Sequence, residues 1–285
     1  MPDIGSSVLA SWRVAAYVLW TLLLMPLQAL AVAAGWRLGE RLPLFYHRTC
    51  LPLLGVRLEV HGTMVETRPV LFACNHTSYL DIPILGALIP GCFVAKSEIA
   101  GWPLFGTLAR LQRSVFVNRR RSMSSQHRDE MSERLAGGDN IILFPEGTSS
   151  DGNRVLPFKS ALFAASDARL TDGSEGVVVQ PVSVAFTRLN GVPMGREFRP
   201  LYAWYGDMAL VSHAWFMLGL GTATVIVRFH PPTSLAEQGS RKALAQYCQR
   251  AVAHGLEEAL GGARAPRPAS PAPAPIAPEP AVVGS

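Results

Sequence analysis

Short apolar runs recur between about Gly55 and Pro231, and polar or turn-forming stretches separate them. Several of these runs are continuous and rich in Val, Ile and Phe, which is typical of strands that helices cover on both faces. The pattern therefore predicts an α/β fold with a largely parallel sheet flanked by helices. The predicted strands are Val56–Val60, Val70–Cys74, Ser114–Val117, Ile141–Phe144, Val177–Phe186 and Thr224–Phe229.

A longer apolar run precedes these strands. Val14–Trp36 holds 23 residues without a formal charge, and a helix needs about 20 to cross a bilayer core. It is too long for the apolar part of a cleaved signal peptide. Pro26 lies within it and favours a kink or break. A spanning helix and a bent helix or helical hairpin lying in one leaflet both remain open.

The low content of charged residues supports a membrane location, and the positions of the basic residues predict on which side of the membrane most of the chain lies. The chain is 49% hydrophobic and only 16% charged, whereas a typical soluble domain is about 25% charged. Basic residues favour the later flank of the apolar run, at Arg37, Arg41 and Arg48 against Arg13 alone. The positive-inside tendency then places most of the chain in the cytoplasm.

The net charge of +5 and the pI of about 9.3 suit anionic lipid head groups as well as nucleic acid. We expect no nucleic-acid partner, because the basic residues do not alternate with aromatics and no nucleic-acid module is recognisable. The four cysteines form no C-x-x-C pair and have no zinc spacing, so they are predicted to be reduced and buried.

Composition divides the chain into three regions. Residues 1–50 form a membrane-associated helical segment, residues 51–262 form the main domain, and residues 263–285 form an Ala- and Pro-rich tail that cannot bury a core. Within the main domain, Ala209–Gly221 is a second apolar patch, too short to span a membrane. An interfacial helix and an ordinary core helix both fit it.

The first candidate site follows the strand at Val70–Cys74, where His76 and Asp81 come five residues apart. Such a pair cannot meet on one face of a regular helix. It can meet if His76 lies in a turn and Thr77 or Ser78 caps the helix that carries Asp81. Asp81 would then accept from one imidazole nitrogen and leave the other free as a base. The alternative is an ordinary turn histidine beside a helix-start aspartate.

Two further polar sites follow predicted strands. Glu146 and Gly147 come directly after Ile141–Phe144, where ligands bind in open α/β sheets. Arg119 follows Ser114–Val117, and its planar guanidinium suits phosphate oxygens. Each could instead be a solvated surface residue. Because the three sites follow three successive buried strands of a largely parallel sheet, we expect all three to converge on one rim of the sheet.

With these residues the chain resembles the glycerolipid acyltransferase family that includes bacterial 1-acylglycerol-3-phosphate acyltransferases. The resemblance covers roughly residues 55–235, and four motifs carry it in the family's order. They are Asn-His-x-x-x-x-Asp at Asn75, His76 and Asp81; Phe-x-x-Arg at Phe116 and Arg119; Phe-Pro-Glu-Gly-Thr from Phe144 to Thr148; and Val-x-Pro-Val from Val179 to Val182.

The resemblance implies an enzyme of the inner membrane whose catalytic domain faces the cytoplasm. It would transfer a fatty acyl group directly from acyl carrier protein or a CoA thioester to a lysolipid hydroxyl, with no metal or organic cofactor. His76 would remove the hydroxyl proton and Asp81 would orient the imidazole, while Arg119 would hold an acidic head group. The other implied substrate-binding residues are Glu146, Gly147, Thr148 and Lys159.

One position departs from the family pattern. Many members carry Arg after Phe-Pro-Glu-Gly-Thr, whereas this chain has Ser149, and Lys159 is a candidate replacement. Lysophosphatidic acid is the acceptor that the resemblance favours first. The chain also resembles bacterial acyltransferases that act on lyso-ornithine lipid, whose ammonium could meet Asp151 or Asp207, although both are also typical turn residues.

Two other function classes compete with acyl transfer. A membrane-anchored hydrolase would use His76 and Asp81 to activate water, but the sequence has neither a G-x-S-x-G elbow nor a metal-ligand set. A non-catalytic lipid-binding protein would keep the fold without turnover, which the intact pair of His76 and Asp81 disfavours.

Overall fold

A mixed, mostly parallel sheet forms the centre of the computed structural model, which describes residues 5–117, 125–168 and 176–261. The strand order is β1-β8-β6-β2-β5-β3-β4, and the short β7 pairs with β6 outside this path. The strands are β1 Val56–His61, β2 Val70–Cys74, β3 Cys92–Lys96, β4 Val115–Val117, β5 Ile141–Leu143, β6 Val178–Leu189, β7 Val192–Pro193 and β8 Ala223–Phe229.

The strands from β6 to β4 along this order run parallel. The pair β1 and β8 is parallel internally, but β8 is antiparallel to β6, so these two strands run against the rest. The prediction of a largely parallel sheet flanked by helices is thus confirmed. Parallel order places the carboxyl ends of β2, β5 and β4 on one edge, the edge where the candidate motifs follow.

All six predicted strands form, with ends shifted by no more than three residues. The sequence prediction missed β3, because its short apolar run ends at Lys96 and gives a weak signal. It also ended β6 at Phe186, whereas pairing with β8 carries the strand past a bulge to Leu189. Antiparallel pairing over that length is a tertiary contact that the local pattern does not contain.

Helices cover both faces of the sheet and produce two hydrophobic cores. Along β2, Phe72 and Cys74 face one core and Leu71 and Ala73 face the other, which explains why the strand is apolar throughout. The four cysteines are buried and free. The α-helices are α1 Ser7–Ala33, α2 Leu38–Leu53, α3 Asp81–Gly86, α4 Phe105–Leu111, α5 Ser125–Ala136, α6 Leu210–Gly219, α7 Leu235–Gln238 and α8 Arg241–Gly261.

The N-terminal apolar run forms α1, which is long and apolar enough to cross a membrane by length and composition. The helix continues through Pro26 without a break. It begins after Ser6, whose hydroxyl accepts from the amide of Leu9. The next helix, α2, continues to Leu53, past the predicted boundary at residue 50. The tail that was predicted from residue 263 lies outside the described residues.

Polar side chains attach α1 to the main domain near both of its ends. The buried guanidinium of Arg13 donates to the carbonyls of Leu218 and Leu220 at the end of α6, at 3.0 and 2.6 Å. Near the other end, the Gln28 amide donates to the carbonyl of Leu111 at 2.8 Å. The opposite side of α1 exposes a row of large apolar side chains, which are Trp12, Leu19, Leu22, Leu23 and Leu30.

The second apolar patch forms α6, which is buried on one face and exposed on the other. In α6, His213 and Met217 are buried in the domain, whereas Val211 is 82% exposed and Trp215 is 45% exposed. One face of the helix is therefore core, and the other exposes apolar side chains.

Substituting Arg13 by Ala should destabilise the fold by about 2 kcal/mol, because it leaves the last carbonyls of α6 buried without a donor. The measurement is the midpoint of thermal unfolding in detergent, followed by circular dichroism. The matched control is Arg37→Ala, at an exposed arginine that follows α1. An equal effect of the two substitutions would contradict this role for Arg13.

Candidate active site

The turns that follow β2 and β5 lie side by side, because these strands are neighbours in register, with Ala73 opposite Leu143. The carboxylate oxygen Oε1 of Glu146 accepts from the backbone amide of His76 at 3.0 Å. The amide of Ser150 donates to the His76 carbonyl at 2.9 Å. Two motifs separated by about 70 residues therefore hold one another in place.

His76 and Asp81 form the predicted contact, with 2.8 Å between the imidazole Nδ1 and the carboxylate Oδ2. Asp81 has no exposed surface, whereas the His76 side chain is 19% exposed. The imidazole ring stacks on Phe144, with centroids 4.2 Å apart. A proton on Nδ1, donated to Asp81, leaves the lone pair of Nε2 available as a base.

The local geometry around Asp81 differs from the predicted capping. Helix α3 begins at Asp81 itself, and the residue before it, Leu80, makes no side-chain cap. Instead, the Asp81 carboxylate reaches back and accepts from the amides of Thr77 and Ser78 at 2.7 and 2.9 Å. Ser78 contributes its hydroxyl only to the amide of Leu80 in the preceding turn. Backbone donors thus stabilise the buried carboxylate. The side chain of Asp81 accepts from the amides of Thr77 and Ser78, whereas the sequence predicted that a Thr77 or Ser78 side chain would cap the helix.

Asn75 fixes the end of β2, a role that the motif did not reveal. Its side-chain amide donates to the carbonyl of Val184 at 3.0 Å and accepts from the amide of the same residue at 2.8 Å. Because Val184 lies in β6, this pair joins the turn that carries His76 to the neighbouring strand.

Glu146 is buried, which excludes the interpretation as a solvated turn residue. Burial raises the pKa of its carboxyl to about 8, and the charge of Asp81 acts in the same direction. The backbone amides of His76 and Leu156 oppose this shift by favouring the carboxylate. The second oxygen, Oε2, is buried and has no hydrogen-bond partner among the described residues. A large fraction of Glu146 is therefore protonated at neutral pH.

The remaining residues of this turn lie next to a lysine. Gly147 has a φ of +75°, and a side-chain Cβ built there would lie 2.6 Å from the Lys159 Nζ. The Lys159 ammonium thus lies against the turn, while its amide donates to the carbonyl of Pro145. Thr148 is exposed. Within the described part of the chain, the amides of Thr148 and Ser149 have no hydrogen-bond partner.

Arg119 lies outside the described residues, so its place in the site stays a prediction. Strand β4 ends at Val117, on the same edge of the sheet as His76 and Glu146. Strand β3 lies between β5 and β4 in the sheet, so the strand that precedes Arg119 is two positions from β5.

The loop that begins at Trp204 and carries Asp207 also contacts the site. The amide of Trp204 donates to the Thr77 carbonyl at 3.0 Å, and the Ser149 hydroxyl donates to the Trp204 carbonyl. The Trp204 ring packs near Tyr79, whose hydroxyl pairs with the buried imidazole of His213 at 3.0 Å. These contacts join residues far apart in sequence, so local patterns carry no signal for them.

A second histidine pairs with a serine but is closed to substrate. Ser183 Oγ and His230 Nε2 are 3.0 Å apart, and both residues are buried. Gly255 of α8 covers them, since a Cβ at that glycine would lie 2.4 Å from the imidazole. Burial lowers the pKa of His230 to about 4. This pair joins α8 to the sheet and offers no accessible nucleophile for hydrolysis.

Comparison with known proteins agrees with these features. The acyltransferase family model matches residues 57–185. A lyso-ornithine lipid O-acyltransferase of Brucella abortus is 45% identical over 257 residues, which are 89% of this chain and 96% of that protein. A 1-acyl-sn-glycerol-3-phosphate acyltransferase of Neisseria meningitidis is 35% identical over 210 residues, which are 72% of this chain and 76% of that protein.

A solved structure shares the fold. The crystal structure of a 1-acyl-sn-glycerophosphate acyltransferase from Thermotoga maritima aligns with a TM-score of 0.56 and 23% sequence identity, over 86% of this chain and 97% of that chain. The chain belongs to the acyltransferase family of these relatives and is an O-acyltransferase that uses an acyl donor and a lysolipid acceptor.

Replacing Glu146 by Gln should change the pH dependence of stability. The folded protein holds the Glu146 proton up to about pH 8, whereas the ordinary pKa is about 4.5. The wild type therefore loses stability as the pH rises through this window, since the unfolded chain has already released its proton. As the pH rises, the free energy of unfolding of the Gln variant should increase relative to that of the wild type by roughly 1 kcal/mol per pH unit.

The measurement is the unfolding midpoint of both proteins in detergent at pH 5, 6.5 and 8. Parallel curves across this range would contradict a raised pKa at Glu146.

Proposed function

We propose that this acyltransferase moves a fatty acyl group from acyl carrier protein or a CoA thioester to the hydroxyl of lyso-ornithine lipid. The observation that carries this choice is the 45% identity over 89% of the chain to a lyso-ornithine lipid O-acyltransferase, against 35% over 72% for a 1-acyl-sn-glycerol-3-phosphate acyltransferase. The comparisons therefore favour the second of the two acceptors that the sequence suggested. Ser149, in place of a cationic residue, supports the same choice.

His76 acts in this proposal as the general base. Its Nε2 takes the proton of the acceptor hydroxyl while Nδ1–H remains bound to Asp81. The hydroxyl oxygen attacks the thioester carbonyl, and the tetrahedral intermediate collapses by breaking the carbon–sulfur bond. The imidazolium returns its proton to the leaving thiolate, so His76 ends as it began. The buried charge of Asp81 stabilises the imidazolium between these steps.

The turn after β5 supplies the second part of the proposed site. The amides of Thr148 and Ser149 are donors for the oxyanion that forms at the thioester carbonyl. Glu146 holds the His76 backbone at 3.0 Å, and Gly147 lets the turn pass close to the Lys159 ammonium. Arg119 and Lys159 are the proposed partners of the acceptor carboxylate.

The placement of α1 supports a helix lying in one leaflet rather than a span. A spanning helix projects away from the domain, whereas α1 is hydrogen-bonded to it through Arg13 and Gln28, near its two ends. Its exposed apolar side and the exposed Val211 and Trp215 of α6 would enter the lipid. The basic residues after α1 support a location on the cytoplasmic face of the inner membrane, where anionic lipids attract them.

Replacing His76 by Ala should lower kcat/KM about 10²- to 10⁴-fold without unfolding the protein, since general-base catalysis contributes that much. Asp81→Asn should also lower kcat/KM at least about 10²-fold, because the amide no longer fixes the tautomer of the imidazole. The assay is thioester-dependent acylation of a lysolipid in detergent. His254→Ala, at an exposed histidine of α8, is the control. Near-normal turnover of His76→Ala would rule out this mechanism.

The choice of acceptor is tested by supplying lyso-ornithine lipid and lysophosphatidic acid side by side, with one acyl donor. We expect kcat/KM at least about tenfold higher for lyso-ornithine lipid, which is a difference of about 1.4 kcal/mol in transition-state binding. Preference for lysophosphatidic acid would refute the proposed acceptor. Thioester consumption without any lysolipid is the matched control, and rapid turnover there would indicate a hydrolase instead.

A further inference from the structure

Residues 204–208 form a compact loop beside the catalytic turn. The Trp204 indole donates to the carbonyl of Met208 at 2.8 Å and closes the loop, and Gly206 has a φ of +61° that permits its turn. We call these five residues the 204–208 loop. Its first residue is attached by hydrogen bonds to Thr77, directly after His76, and to Ser149.

Ser149 is therefore a tether for this loop. Its hydroxyl donates to the Trp204 carbonyl, while the next residue, Ser150, donates its amide to the carbonyl of His76. The segment that carries the tether thus runs along the catalytic histidine. An arginine at position 149 would lose the tether, so it would do more than add a cation for the acceptor.

The two acids suggested for an ammonium differ in the structure. The Asp151 carboxylate accepts from both the amide and the side chain of Asn153, at 3.1 and 3.3 Å, which closes a local turn. Asp207 is exposed, and its carboxylate has no partner among the described residues. It lies three positions after Trp204 in the chain, so its Cα is within about 10 Å of the Trp204 Cα.

We propose that the 204–208 loop is a wall of the acceptor site and that Asp207 on this loop recognises the ammonium of the acceptor head group. The proposal rests on the proposed function, because lyso-ornithine lipid carries that ammonium and lysophosphatidic acid does not. Ser149 acts as a positioning residue, since it fixes the loop that carries the carboxylate. Asp207 has the exposed negative charge that an ammonium needs, while the Lys159 ammonium suits the acceptor carboxylate.

The experiment compares two acceptors that differ in one charge, which are lyso-ornithine lipid and the same lipid with its side-chain amine acetylated. The Asp207→Asn enzyme should show a KM about fivefold higher for lyso-ornithine lipid, the size expected for a partly solvated charge pair, with kcat nearly unchanged. It should match the wild type on the acetylated acceptor. Glu197→Gln, at another exposed acid, is the control and should change neither KM.

Two substitutions at the tether separate positioning from folding. Ser149→Ala should raise the KM for lyso-ornithine lipid more than that for the acetylated acceptor, because the loop loses its hydrogen bond. Ser149→Thr keeps the hydroxyl and should restore the difference between the two acceptors. Equal losses on both acceptors in Ser149→Ala, without rescue by Thr, would assign Ser149 a structural role only and overturn the tether.

The outcomes distinguish this proposal from the proposed function. If the wild type acylates lyso-ornithine lipid and Asp207→Asn changes both acceptors equally or neither, ammonium recognition by Asp207 is refuted while the acceptor stands. If the wild type acylates lysophosphatidic acid but not lyso-ornithine lipid, the proposed acceptor fails and the role of Asp207 fails with it.

Discussion

The parallel pairing of β2 with β5 is the constraint on which the site depends. It places the ends of two buried strands next to one another, so that the turn carrying His76 and the turn carrying Glu146 share hydrogen bonds. A shift of one residue in this register would turn every side chain of the strand to the other face. Because alternate side chains of β2 pack into the two cores on opposite faces of the sheet, these cores also help to fix the register of the strand.

Burial makes the two carboxylates of the site behave differently. Asp81 is buried but accepts three hydrogen bonds, two of them from backbone amides, and these donors compensate for the loss of water. Glu146 accepts fewer hydrogen bonds from the described residues, and its burial raises the pKa of its carboxyl to about 8. One carboxylate can therefore stabilise an imidazolium, while the other mainly holds the backbone of the turn.

The helices at the amino terminus connect this rim to the apolar surface of the molecule. The guanidinium of Arg13 in α1 donates to the last carbonyls of α6. His213 on α6 in turn pairs with Tyr79 in the turn that follows His76. A continuous set of contacts thus runs from α1 to the turn that carries His76. In the proposed function, these contacts would keep a lipid acceptor in the membrane close to His76.

Sequence patterns were sufficient for the elements whose signals are local. Continuous apolar runs gave six strands and the parallel sheet, the run around Pro26 gave the long N-terminal helix, and the motif at His76 and Asp81 indicated their contact. The weak run at Cys92–Lys96 did not reveal β3, which lies between β5 and β4 in the sheet.

Other features depended on tertiary contacts. Examples are the raised pKa of Glu146, the continuation of β6 along β8, and the use of Ser149 as a tether for Trp204. Each arises from groups that lie far apart in the chain and become neighbours only when the sheet and its helices assemble. The amino-acid sequence by itself determined which residues could carry the chemistry, whereas folding decided their burial and their partners, because solvation and hydrogen bonding are properties of the assembled environment.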